Sequence, residues 1–291
     1  MPIAESELVL NADGSIYHLN LHPEQVADTV FFVGDPGRVP RVSKYFDKIE
    51  HCVQRREFVT HTGWLGSRRL SVISTGIGPD NIDIVMNELD ALANIDFATK
   101  TVKDKLTRLR IIRLGTSGSL SENIPVDSLV VSVFGIGLDN MLSFYGYEHD
   151  GEEAQLNLAF TDFISSFEMS LRPNVAKGST ELVSLLKGGM AEGITLTCAG
   201  FYGPQGRRLR LGSIIDTDFF RQAGNFSFQG LHLSNFEMET AAIFGLAKMM
   251  GHQATSCNAI LANRVNNVFS KNPGAAVEQL IKNVLEKIVA V

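Results

Sequence analysis

The feature that most constrains this chain is a recurring unit in which a short β-rich run ends in glycine and is followed, at intervals, by an amphipathic helix. Thr29 to Val33 runs into Gly34, Leu70 to Thr75 into Gly76, Arg110 to Leu114 into Gly115, and Ile194 to Cys198 into Gly200. Aliphatic and β-branched runs without polar alternation predict strands buried on both faces, and glycine marks where each chain segment turns. From Asp80 to Ile95, the apolar residues Ile82, Val85, Met86, Leu89, Leu92 and Ala93 follow helical spacing, with Asp80 placed to cap the start. Further helices are predicted from about Glu237 to Met250 and from about Gly274 to Val289. Strands alternating with helices predict an α/β fold whose sheet is largely parallel or mixed and covered on both faces. No internal period and no Pro- or Ser-rich linker divides residues 1–291, so one domain is expected. In such sheets ligands bind outside the carboxyl ends of strands, which places the expected site at the glycine turns.

Charge and cysteine usage narrow the functions. Lys and Arg total 26 against 32 Asp and Glu, a net charge of -6, which argues against a nucleic-acid face or a polybasic membrane anchor. Apolar stretches such as Leu129 to Val133 are too short for a membrane span, and MPIAESELVL lacks the basic start and apolar core of a secretion signal. A cytoplasmic protein is expected. Cys52, Cys198 and Cys257 are widely spaced and odd in number, which predicts buried free thiols rather than disulfides or a metal pair.

Absent motifs remove whole chemistries. Gly76-Ile77-Gly78-Pro79-Asp80-Asn81 and Gly135-Ile136-Gly137-Leu138-Asp139-Asn140 both lack the third glycine of a dinucleotide fingerprint. No P-loop, zinc-protease helix or serine nucleophile elbow is present, and Gly115-Thr116-Ser117-Gly118 has the wrong spacing for the last. What remains is arginine beside glycine: Arg38 after Gly34-Asp35-Pro36-Gly37, Arg56 within an expected strand from Arg55 to Thr60, and Arg113 ahead of Gly115 and Thr116. Glycine lets backbone N–H groups approach an anion and arginine offers a fork matched to phosphate oxygens, so three such strand ends could converge on one phosphate. Taken singly, Arg38 and Arg56 read as surface charges. Arg113 follows Ile111 and Ile112 in a strand that reads as buried, and a buried arginine needs an anionic partner. Glu237 and Glu239 open the second helix, where residues two apart point in different directions; either one caps while the other works, or both simply add favourable charge at the positive helix end. Phe201-Tyr202-Gly203-Pro204-Gln205-Gly206-Arg207 combines rings, an amide and a guanidinium, a set suited to a planar heterocycle and equally to an ordinary turn. His18, between Tyr17 and Leu19, reads as a satisfied loop or edge-strand histidine.

Together these segments resemble the nucleoside phosphorylase family, and within it the members that cleave uridine. The resemblance runs from Tyr17-His18-Leu19 through Gly34 to Val39, Arg56-Glu57-Phe58, Ser74 to Gly78, Arg113 to Gly118, Phe201 to Arg207 and Phe236 to Glu239, ending at Asn263-Arg264. It implies a single three-layer α/β domain with a mixed central β-sheet flanked by helices, and phosphorolysis of uridine to uracil and ribose 1-phosphate, with phosphate as co-substrate and no required cofactor. By the same resemblance Gly34, Arg38, Arg113 and Thr116 hold phosphate, joined by Arg56 from a neighbouring subunit of a homodimer with shared sites. Met238 and Glu239 hold the ribose, with His18 also from the neighbour; Gln205 and Arg207 read the base and Phe201 packs on it. Arg113, Thr116, Glu239 and Arg207 are thus the expected catalytic set. The family also allows a monovalent cation such as potassium near Glu57 and Ile77. Purine-selective relatives carry an aspartate where this chain has Asn263, which removes the acid a purine would need. Three departures stand out: the long, charged stretch from Ala93 to Leu109, Asn81 in place of serine, and Pro79-Asp80 in the turn. The alternatives weighed are a purine nucleoside phosphorylase, a nucleosidase using water, and a non-enzymatic nucleoside-binding protein. The phosphate arginines argue against the nucleosidase, and Arg38, Arg56, Arg113 and Glu239 together argue against storage.

Overall fold

In the computed structural model, which describes residues 2–167 and 169–290, the aliphatic runs become the middle of a mixed sheet. Its strands are β1 (Thr29–Val33), β2 (Lys48–Arg55), β3 (Phe58–Leu65), β4 (Arg68–Ser74), β7 (Arg110–Ser119), β8 (Leu129–Gly137), β9 (Asn174–Lys177), β10 (Ala191–Thr197), β11 (Ser227–Phe228), β12 (Leu231–Glu237), β13 (Gln253–Asn263) and β14 (Val268–Phe269). The order is β11-β12-β10-β8-β13-β7-β1-β4-β3-β2, with β9 on β8 and β14 on β13. A separate hairpin pairs β5 (Ile95–Asp96) with β6 (Thr101–Val102). The helices are α1 (Val39–Ser43), α2 (Pro79–Asn94), α3 (Gly151–Ser165), α4 (Thr180–Leu186), α5 (Thr217–Ala223), α6 (Thr240–Met249) and α7 (Pro273–Val289).

The strand pattern explains the layers. Along β1, Val30 and Phe32 face α2 and α6, packing with Ile82, Val85, Met86, Ile243 and Phe244. Phe31 and Val33 point the other way, onto Leu182 of α4 and Leu280, Ile281 and Val284 of α7. Such alternation with both faces apolar is what a doubly covered sheet requires. A third cluster, rich in phenylalanine, packs Phe160 of α3 and Phe219 and Phe220 of α5 on Phe134 of β8 and Phe236 of β12. This is a single α/β domain with a mixed sheet flanked by helices, as the family resemblance implies.

Several local expectations change. β1, β4, β7 and β13 run parallel, while β8, β10 and β12 run parallel to one another and antiparallel to β13. Strand ends therefore point in two directions, and the sheet closes the gap by curling: β12 also pairs antiparallel with the far part of β7, Phe236 opposite Gly118 and Asn235 opposite Ser119. Consequently β7 does not stop at Gly115 but continues to Ser119, and Arg113 and Thr116 are mid-strand rather than at a strand end. Asp80 does not cap α2; the N-cap is Gly78, at φ +99°, and Asp80 lies in the first turn. Arg56 lies outside a strand, in the two-residue turn between β2 and β3. Cys198 and Cys257 are buried free thiols, but Cys52 is exposed because it lies on the outward side of the edge strand β2. The extended stretch after α2 carries the β5–β6 hairpin, whose Lys100 carbonyl accepts the Ile3 N–H at 2.7 Å.

Candidate active site

Arg113 is the centre of the arrangement. It is 7% exposed, and its Nη1 donates to Asn258 Oδ1 at 2.7 Å while Nη2 donates to Glu239 Oε2 and lies 3.3 Å from Glu237 Oε2. Burial opposes its charge, but Glu239 and Glu237 hold its pKa above the usual value. Gly115 makes this possible: on a strand, residues two apart share a face, and a Cβ at Gly115 would fall 1.6 Å from Arg113 Nη1. The guanidinium folds back over the bare glycine.

Glu237 and Glu239 do not behave as two positions on a helix. The helix begins at Thr240, so Glu237 ends β12 and Glu239 occupies the N-cap position. Both carboxylates reach Arg113, correcting the expectation that they could not face one group. Glu237 is the capping carboxylate: it accepts the backbone N–H groups of Glu239 and Thr240 at 3.0 Å and the Thr197 hydroxyl at 2.8 Å, fastening the start of α6. Burial pushes the Glu237 carboxyl up against the pull of Arg113. Glu239 Oε1 accepts the Gly78 N–H at 2.8 Å, so the glycine turn after β4 is tied to the same carboxylate.

Arg38 completes this corner. Its Nη1 donates to the Leu114 carbonyl at 2.9 Å, and its buried Nε has no hydrogen-bond partner among the described residues. Burial, then repulsion from Arg113, pushes its pKa down to about 10. A charged donor left unmatched in this way is costly unless an anion arrives. Gly34 sits beside it, its α-carbon facing the Gly76 carbonyl so closely that a Cβ would come within 3.3 Å. Thr116 is partly exposed in an otherwise buried stretch of β7, and Met238 is partly exposed between the buried Glu237 and Glu239.

The second corner is built on the loop after β10. Arg207 Nη1 donates to the Phe201 carbonyl at 2.7 Å and to Gln205 Oε1, and its guanidinium carbon lies 3.6 Å from the centroid of the Phe201 ring. Gln205 is buried, whereas Phe201 is 49% exposed. Burial, reinforced by Arg264, pushes Arg207 down to about 10. Arg264 Nη1 donates to the Gln205 carbonyl at 3.2 Å, and both guanidinium groups stand 5.8 Å from the Phe236 ring. Phe236 immediately precedes Glu237, so β12 joins the two corners.

His18 Nδ1 is 2.6 Å from Glu88 Oε1 on α2, a satisfied loop histidine. Arg56 is exposed, at φ +52°, and makes no side-chain hydrogen bond or ion pair among the described residues. Glu57 lies against Gly76, and Ile77 is 67% exposed. No group of three His, Cys, Asp or Glu able to hold a metal occurs among the described residues. Asn263 is occupied structurally: its amide donates to the Ser121 and Ile124 carbonyls and its oxygen accepts from Val265 and Asn266. Sequence reasoning missed Asn258, which stands on β13 just before the apolar run Ala259 to Ala262; a polar side chain at the edge of such a run was the available signal for a partner to a buried charge. A cavity of about 390 Å³ opens at the amino ends of β7 and β13. It contains none of these residues, and its Lys177 and Lys248 are already paired with Glu152, Asp150 and Glu153.

A family model describing the Phosphorylase superfamily matches residues 28–290. This chain belongs to the Phosphorylase superfamily. Among superfamily relatives, the uridine phosphorylase of Thermococcus kodakarensis is 28% identical over 283 residues, covering 96% of this chain and 88% of that protein. The uridine phosphorylase of Haemophilus influenzae is 25% identical over 286 residues, covering 95% of each. A solved superfamily structure, a Trypanosoma brucei nucleoside phosphorylase described as showing uridine phosphorylase activity, matches with a TM-score of 0.89 at 28% identity over 98% of this chain and 100% of that one.

Proposed function

We propose that this member of the superfamily catalyses the reversible phosphorolysis of uridine, releasing uracil and ribose 1-phosphate in cytoplasmic pyrimidine salvage. The observation that carries the proposal is the Arg38 guanidinium, inward-facing with an unmatched Nε beside Arg113, only a short stretch of β12 away from the amide, ring and guanidinium of Gln205, Phe201 and Arg207. The first corner suits phosphate and the second a flat base with carbonyl and N–H edges.

In this reading Gly34, Arg38, Arg113 and Thr116 hold the phosphate with one oxygen directed at the ribose C1′. The bond between that oxygen and C1′ forms as the bond from C1′ to the base nitrogen breaks, its electron pair leaving with the base. The sugar passes through an oxocarbenium-like state, stabilised by the phosphate dianion, while Arg207 stabilises the departing uracil anion. Glu239 and Met238 hold the ribose for in-line attack, and Glu239, fixed by Arg113 and the Gly78 N–H, has its acceptor atoms preset. His18 and Arg56 complete the site of a second copy in a homodimer. No cofactor takes part. For a monovalent cation each chain offers one carboxylate, Glu57, and the Ile77 carbonyl, already approached by Asn81 Nδ2 at 3.5 Å. That is too few oxygen ligands for such an ion unless a second copy doubles them, and no step depends on it.

Base choice tests the proposal. A site of buried polar groups rejects ligands that leave them unpaired, by about 10⁴-fold or more. At equal phosphate, uridine should be cleaved and inosine hardly at all, and Arg207→Ala should abolish most uridine turnover. Equal cleavage of inosine and uridine, or an unchanged rate in R207A, would contradict it.

A further inference from the structure

The two residues expected to act in a second copy's site, His18 and Arg56, are 38 positions apart in sequence, yet one side chain links the segments that carry them. Arg55, the last residue of β2 and the neighbour of Arg56, donates through Nη1 to Asn11 Oδ1 and Asn20 Oδ1, each at 3.0 Å. Its guanidinium carbon also stands 5.5 Å from the centre of the Tyr17 ring, which in turn meets His18 edge-on with centroids 4.7 Å apart. Asn11 and Asn20 are the frame of the His18 loop. Asn11 Nδ2 lies within hydrogen-bond distance of the Ser15 hydroxyl, the Ile16 and Tyr17 carbonyls and Asn20 Oδ1, and Asn20 turns the chain at φ +55°. On the far side, Glu88 of α2 accepts the N–H groups of His18 and Leu19 at 2.9 and 2.8 Å as well as the His18 ring. Nδ1 therefore carries a proton, and Nε2 is the ring atom left to meet a ligand.

We propose that Arg55 is a positioning residue that fastens the His18 loop to the Arg56 turn, so that both residues enter the second copy's site as one preset arm. The inference deepens the proposed function and rests on it for the destination of the arm. The physical case is that Arg56 sits at φ +52°, a conformation disfavoured for arginine, and that such strain persists only where surrounding bonds over-determine it. Arg55 supplies that restraint from the adjacent position. A charged donor shared by two amide oxygens and within cation–π range of an aromatic ring is a fixed joint, and a loop so held loses little freedom when it meets a ligand.

The test compares Arg55→Met with the wild-type protein by kinetics and by amide hydrogen exchange. The arm predicts that R55M raises KM for uridine and for phosphate together, each by about tenfold, the loss expected for charge-assisted bonds that preorganise a site, with a smaller change in kcat. Exchange should quicken in residues 11–22 and 55–57 together. Asn20→Gly keeps the left-handed turn but deletes one acceptor; it should show the same pattern at smaller amplitude and carries the test if R55M does not fold. Glu88→Gln should raise KM for uridine and spare phosphate. A purely structural Arg55 would lower the melting temperature and leave both KM values within about twofold, which would overturn the proposal, as would faster exchange in only one of the two segments. If the wild-type protein fails to cleave uridine, the proposed function falls, and the exchange comparison still decides whether the two segments move as one.

Discussion

Arg113 lies in a strand whose flanking residues are aliphatic, and what keeps it there is the ring of Glu239, Glu237 and Asn258 around its guanidinium. Its need for an anion was legible from Ile111 and Ile112, which mark a strand that reads as buried. Which anion was not, because Glu239 is 126 residues away and reaches back only through the curl that pairs β12 with β7. The same geometry gives Gly115 a role that no motif conveys. Gly115→Ala should displace the Arg113 side chain, destabilise the protein by about 1 to 3 kcal/mol and cost roughly tenfold or more in kcat/KM. Denaturant melts and steady-state rates check this, and near-wild-type values for both would show that Arg113 has another way to lie. Arg38 yields a second prediction. Phosphate at a hundred times its Kd should stabilise the native state by about 2.7 kcal/mol, a thermal shift that Arg38→Met should largely remove. An equal shift in the variant would place phosphate elsewhere.

The elements themselves were more readable than their junctions. β1 matches the expected run residue for residue, and α2 and α7 begin and end within a residue of the periodic pattern, because a strand or helix with a continuous apolar face is fixed by local spacing. Errors collected at the ends, at Asp80, Arg56, Gly115 and Glu237, where pairing with a distant strand decides whether the chain turns or continues. The β9 junction gives a pH prediction. His149 Nε2 accepts the Val175 N–H at 3.1 Å, and burial pulls the His149 pKa below its ordinary value. The native state thus resists a proton that the unfolded chain accepts, so this contribution is present above about pH 6.5 and is lost as the pH falls through and below that value. His149→Gln keeps an acceptor that does not titrate. The stability advantage of wild type over H149Q should shrink between pH 7.5 and about 5.5, read from paired melts; an advantage that stays constant or grows would contradict the assignment.

At the scale of the whole molecule, the proposed reading has one chain supply most of a phosphate corner and a base corner, while Arg56 is exposed and unpaired among the described residues. An isologous pair would let each copy complete the other's site. Arg56→Ala and Arg113→Ala should each be nearly inactive, losing a charge-assisted phosphate contact worth about 1.5 to 3 kcal/mol. Unfolded together and refolded in equal amounts, they should form half mixed dimers, each with one intact site, so that about a quarter of all sites regain wild-type activity. Activity no greater than the mean of the two variants would mean that Arg56 serves its own subunit or none. In the proposed reading, the arginines gathered around the unmatched Arg38 guanidinium make phosphate, not water, the attacking group. Uridine should therefore be incubated with the wild-type protein with and without phosphate, and both products measured. The account predicts uracil release only with phosphate, matched mole for mole by ribose 1-phosphate; uracil released at the same rate without phosphate, accompanied by free ribose, would contradict it.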